Sequence, residues 1–193
     1  QAFVANTGSF GDSFGLSDVR AGFKFGLSSD ANSQMTLQVL GQFPTGDASK
    51  GLGNNRASIE PTFLYWTQLG SRVSVEAQLG SVFPLDGSAG VPTRGSDKFS
   101  GRVMYYGIGP SFDLVSRGNV RFSPVFELVG WHVVDGFSTA AGGPIDGVNI
   151  LNAKFGGRLA LGAGNSFYVG YGHALTDSVW YDDVLRFEYR LGL

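Results

Sequence analysis

Apolar and polar residues alternate with a period of two along most of this chain. The run at its end is the clearest: Leu185, Phe187, Tyr189, Leu191 and Leu193 alternate with Arg186, Glu188, Arg190 and Gly192. Successive strand side chains point to opposite faces, so such a strand carries one apolar face and one charged face, and it separates two media. The same period predicts strands at 16 to 27, 34 to 43, 57 to 69, 72 to 83, 102 to 115, 120 to 132, 150 to 161, 166 to 175 and 184 to 193. In the first, Val19, Ala21, Phe23, Phe25 and Leu27 oppose Asp18, Arg20, Gly22 and Lys24; in the fourth, Val73, Val75, Ala77, Leu79 and Phe83 oppose Arg72, Ser74, Glu76, Gln78 and Gly80. Strand 102 to 115 contains Pro110 between glycines, which predicts a bulge or bend there.

The connections alternate in length. Tight turns at 28 to 33, 70 to 71, 116 to 119 and 162 to 165 have hairpin chemistry, and between them lie long Gly-, Asp- and Ser-rich segments at 45 to 56, 86 to 100, 134 to 149 and 176 to 183. Short and long connections therefore fall at opposite ends. Alternation alone fits a soluble barrel or sandwich as well as a membrane barrel. Strand lengths of about 10 to 13 residues, the loop asymmetry and the apolar end favour an all-β, transmembrane, antiparallel up-and-down β-barrel. The expected localisation is the bacterial outer membrane, with the long loops extracellular, the C-terminus periplasmic, and the bilayer and its lipopolysaccharide as surroundings.

Composition narrows the function. With 193 residues, 30 Gly, 16% charged residues and no Cys, the chain suits one domain over 1–193 and excludes disulfides and thiolate chemistry. A net charge of −2 with scattered Lys and Arg argues against a nucleic-acid partner. No apolar run approaches the roughly 20 residues of a membrane helix. His132 and His173 lack further ligands at zinc spacing, so neither a metal nor any other cofactor is predicted. Pairing His132 with Asp135, or His173 with Asp177, brings no nucleophile with it, and the chain is expected not to be an enzyme. Gly51-Leu52-Gly53 and Gly107-Ile108-Gly109 complete no phosphate-binding pattern.

The polar faces carry charges of mixed sign. Asp18, Arg20, Lys24, Glu60, Arg72, Glu76, Asp113, Arg121, Glu127, Lys154, Arg158, Arg186, Glu188 and Arg190 are the expected lumen-lining residues. Tyr65, Trp66, Tyr105, Tyr106, Trp131, Trp180 and Tyr181 lie near strand ends, where rings favour the headgroup level. Of the inward-facing aromatics, Trp66, Tyr105 and Tyr168 are the expected solute path. These features predict an outer-membrane channel for passive uptake of small aromatic or hydrophobic solutes. The alternative is a structural or partner-binding barrel, alone or as an oligomer, with a closed lumen, because barrels of about eight strands are filled by their own side chains.

Three motifs stand apart from the alternation: Gly15-Leu16-Ser17-Asp18-Val19, Phe43-Pro44-Thr45-Gly46-Asp47 and Lys50-Gly51-Leu52-Gly53. Over about residues 10 to 85 the chain resembles the outer-membrane family associated with the meta-cleavage pathway of phenol degradation. That resemblance implies a Gram-negative barrel that transports aromatic or other poorly soluble compounds. As residues alone, Pro44 ends a ladder, Gly46 permits a turn and Asp47 bonds its backbone, which explains the motif as well as a ligand site does. Outer-membrane proteins usually end in Phe or Trp, whereas Leu193 ends this chain. Bacterial barrels have an even strand number with both termini periplasmic. Nine strands ending on the short-turn side therefore predict that Gln1 to Ala5 is the top of an incomplete strand, with 10 or 12 strands in the natural protein.

Overall fold

Every regular element among the described residues is a β-strand. The computed structural model describes residues 2–7, 11–47, 52–53, 56–85, 101–138, 143–144, 146–162, 164–179 and 181–192. A short hairpin pairs β1 (Ala2–Thr7) with β2 (Gly11–Leu16). The main antiparallel sheet contains β3 (Val19–Ser29), β4 (Ser33–Phe43), β5 (Ser58–Leu69), β6 (Val73–Pro84), β7 (Val103–Phe112), β8 (Val115–Arg117), β9 (Val120–Val133), β12 (Asn149–Leu161), β13 (Asn165–Ala174) and β14 (Asp183–Leu191). Within the connection after β9, β10 (Phe137–Ser138) pairs with β11 (Gly143–Pro144). The order is up-and-down from β3 to β14, with β8 folded against β9 off the main path. From β3 onward, setting aside β8 and the β10–β11 hairpin, each strand pairs with the next long strand in the chain, as hairpin connections dictate.

Several expectations change. The first long strand starts at Val19, because Leu16 belongs to β2. The strand expected at 102 to 115 stops at Phe112, and Val115–Arg117 turns back on β9 through Gly118, whose φ of 57° suits only glycine comfortably. At Pro110 the register does not shift, so no residue is inserted: β6 pairs continuously through Val75 and Pro110, while on the other side the β7–β9 ladder is interrupted at Gly109 and Pro110, where the proline has no N–H to give. The irregularity lies at Gly26–Ser28, where β3 slips against β4. The N-terminal segment pairs with β2 rather than with the main sheet. Closure was also expected, but β3 and β14 do not pair among the described residues, so the sheet has an open seam. Gln1, the loop at 86 to 100, Trp180 and Leu193 lie outside the described residues.

Burial is inverted relative to a water-soluble sheet. Phe23 is 73% exposed, Phe187 74%, Leu185 66% and Phe155 65%, whereas Thr62, Ser58 and Asn152 are at most 2% exposed. The apolar residues form the convex face, where Phe167 and Tyr189 meet at 4.8 Å between centroids. Polar residues fill the concave face. Its half toward the long connections is packed by Gln42, Ser58, Glu60, Thr62 and Asn152, together with Val133 and Ile150. The other half is hollow.

Candidate functional site

Register decides which concave residues meet. One row crosses four strands: Ser123 on β9, Arg158 on β12, Tyr168 on β13 and Glu188 on β14 stand opposite one another in turn. Tyr168 is 3% exposed. Its ring occupies the space over Gly156 and Gly170, where any side chain would collide with it. The Arg158 and Arg186 guanidiniums stand 5.4 and 5.7 Å from its centroid, placing positive charge against the negative ring face. Glu188 gathers three arginines: Arg158 Nη1 at 3.5 Å, Arg186 Nη2 at 2.5 Å and Arg190 Nε at 2.5 Å. One carboxylate cannot neutralise three guanidiniums, so this wall keeps a positive excess. Lys154 faces Glu127 directly across the β12–β9 ladder at 3.9 Å.

The 175–182 connection carries Tyr181 toward this wall. Burial, and then the Glu127 carboxylate, raise its phenol above the ordinary range, while Arg186 opposes the shift. Beside this row, Arg121 on β9 is 3.7 Å from Asp113, which also accepts a 2.6 Å hydrogen bond from Ser123 Oγ. All nine long strands contribute to the lining of one cavity of about 820 Å³, from Lys24 on β3 to Arg190 on β14. The sheet therefore curls around a common interior even though its edges do not pair.

Of the residues singled out in the sequence, Lys24, Arg72, Glu76, Asp113, Arg121, Glu127, Lys154, Arg158, Arg186 and Arg190 line this cavity, as do Trp66 and Tyr168. Glu188 sits behind its three arginines. Asp18, Arg20 and Glu60 belong to a separate cluster: Gln42 receives hydrogen bonds from Arg20 at 3.0 and 2.8 Å, Arg20 is 3.3 Å from Glu60, and Gln42 Nε2 donates to Asp18 at 2.9 Å. Tyr105 is also outside the lining; its hydroxyl lies 2.5 Å from Thr62 Oγ1 in the packed half. Trp131 shares the face of Glu127 and Val129, so it does not join an outer belt. Gln34, Thr36, Gln68, Gln78 and Ser123 line the cavity as well. Their place on the polar side of the alternation was the available signal, which a search for charged residues passes over.

Lys50 and Gly51 lie outside the described residues; the described parts of the three motifs converge at the rim. Asp18 Oδ1 accepts from the Gly46 N–H at 2.9 Å, Thr45 Oγ1 accepts from the Val19 N–H at 2.9 Å, and Leu52, 4% exposed, abuts Gly15. Their joint effect is to fold the connection after β4 against the start of β3. The histidines take other partners than those considered from spacing. His132 Nδ1 pairs with Asn149 Oδ1 at 2.9 Å and His173 Nδ1 with Asp183 Oδ1 at 2.8 Å, because the ladder sets these residues opposite each other, while Asp135 holds Arg102.

The chain matches the model of the family described as "Putative MetA-pathway of phenol degradation" over residues 1–179. No curated protein matches it.

Proposed function

The chain belongs to this phenol-degradation family, and from that premise we propose that it is an outer-membrane β-barrel through which small aromatic or hydrophobic solutes pass without catalysis or a cofactor. The observation that carries the reading is the inverted burial: Phe23, Phe155, Leu185 and Phe187 are exposed on the convex face, and Lys154, Arg158 and Glu188 lie on the concave one. Large exposed apolar surface is stable against hydrocarbon and is a liability in water. Strands of 9 to 14 residues have the length for a tilted crossing. The long connections then lie outside the cell and the short turns in the periplasm.

A closed-lumen reading has its own support in the packing of Ser58, Thr62 and Asn152 beneath the long connections. Reconstitution separates the two. For the channel, the refolded protein gives heat-modifiable migration, requires detergent, conducts in planar bilayers and admits solutes in liposome swelling. A folded, inserted protein with neither current nor flux would overturn transport and leave the closed barrel; a detergent-independent soluble monomer would overturn both.

A further inference from the structure

We propose that the cavity selects organic anions, and that its ligands are carboxylates of small aromatic acids rather than neutral or cationic aromatics. The inference deepens the transport reading and rests on it for the route of entry. It begins with charge placement. Among the described residues, Lys24, Arg72, Arg121, Lys154, Arg158, Arg186 and Arg190 line the cavity, together with Glu76, Asp113 and Glu127. Seven basic groups therefore meet three acidic ones, in a chain whose net charge is −2. Glu188 lowers the excess by one and does not remove it. A concave surface of one predominant sign raises the local concentration of the opposite ion.

The form of the basic wall narrows the class. Arg158 and Arg186 share Glu188 with Arg190, so their forks retain donors beyond those that the single carboxylate accepts. A ligand carboxylate is the planar, bidentate match for such a fork. Trp66 supplies aromatic surface in the same cavity, against which a ligand ring can pack. A volume of about 820 Å³ accommodates a single-ring acid with room for water. Neither a neutral phenol nor a benzylic ammonium uses the positive excess, and the ammonium is repelled by it.

The test compares benzoate, benzyl alcohol and benzylamine by calorimetry on the refolded protein in detergent, and chloride against potassium by reversal potential under a KCl gradient. Benzoate is expected to bind at least about tenfold more tightly than the other two, as one charge-assisted contact provides. Arg158→Gln with Arg186→Gln lowers benzoate affinity about tenfold, and Glu188→Gln raises it. That opposite sign cannot come from misfolding, and heat-modifiable migration checks each variant. Chloride permeates in preference to potassium at about 0.1 M salt, with the preference shrinking at about 1 M, where the screening length is about 3 Å. Benzoate selectivity without conductance keeps the anion site and overturns the route. Conductance with potassium preferred, or equal binding of all three probes, overturns the anion site and leaves the route standing.

Discussion

Tyr105 on β7 covers Gly80 on β6: a Cβ on that glycine would lie 2.5 Å from the ring. The hydroxyl at the far end of the same ring reaches Thr62 on β5. One tyrosine thus binds three strands, and it fits only because the middle strand has no side chain under it. Tyr168 repeats the arrangement over Gly156 and Gly170.

Gly80→Val is therefore expected to destabilise the sheet by about 1 to 3 kcal/mol through overpacking. Gly156→Ala, beneath Tyr168, acts in the same direction. Gly26→Ala is the control, since a Cβ there meets nothing within 4 Å. Urea unfolding in lipid vesicles measures all three, and equal stability of Gly80→Val and Gly26→Ala would remove the covering role of the ring.

The two faces predict opposite tolerance to charge. Phe23→Arg and Leu79→Arg each place a cation on the convex face, at a cost of roughly 2 to 4 kcal/mol near the bilayer midplane. Gln38→Arg adds a cation on the polar side, opposite Lys24, at a cost of under about 1 kcal/mol. Folded yield after refolding into vesicles ranks the variants; equal yields would refute the assignment of the faces.

Removing Glu188 has a stability consequence apart from ligand affinity. Glu188→Gln leaves Arg158, Arg186 and Arg190 without their shared anion, and the like charges then repel at close range. A loss of about 1 to 3 kcal/mol is expected, smaller in high salt than in low. A variant as stable as the parent at low salt would show that the wall does not depend on this carboxylate.

Asp18→Ala removes the acceptor for the Gly46 N–H and for Gln42. The connection after β4 should then open, becoming faster to cleave by a soluble protease while the sheet stays folded. Cleavage at the parental rate would leave the rim motif without this clamp.

The alternation of β6 revealed its extent to within one residue, because Val73 to Phe83 and its polar partners repeat without interruption. Other features depend on partners remote in sequence. Gly11–Leu16 carries no period of its own and becomes a strand only against Ala2–Thr7. The slip at Gly26–Ser28 is a relation between two strands, invisible in either alone. Lys154 and Arg158 could be placed on a polar face, but their meeting with Glu127 and Glu188 follows from the ladder registers. The sequence places Asp18 among the polar-face charges and in the Gly15–Val19 motif but does not show what it holds. Its role as a turn acceptor required Gly46, 28 residues away, to arrive beside it.

The open seam between β3 and β14 becomes a demand once the sheet enters hydrocarbon. Each edge presents a row of amide and carbonyl groups that water can satisfy and lipid tails cannot, at several kcal/mol for every group left bare. Insertion thus selects against the free edges. In the proposed membrane setting the two strands must zip to each other or accept another strand between them, so the last ladder of a spanning sheet is one that hydrocarbon itself compels.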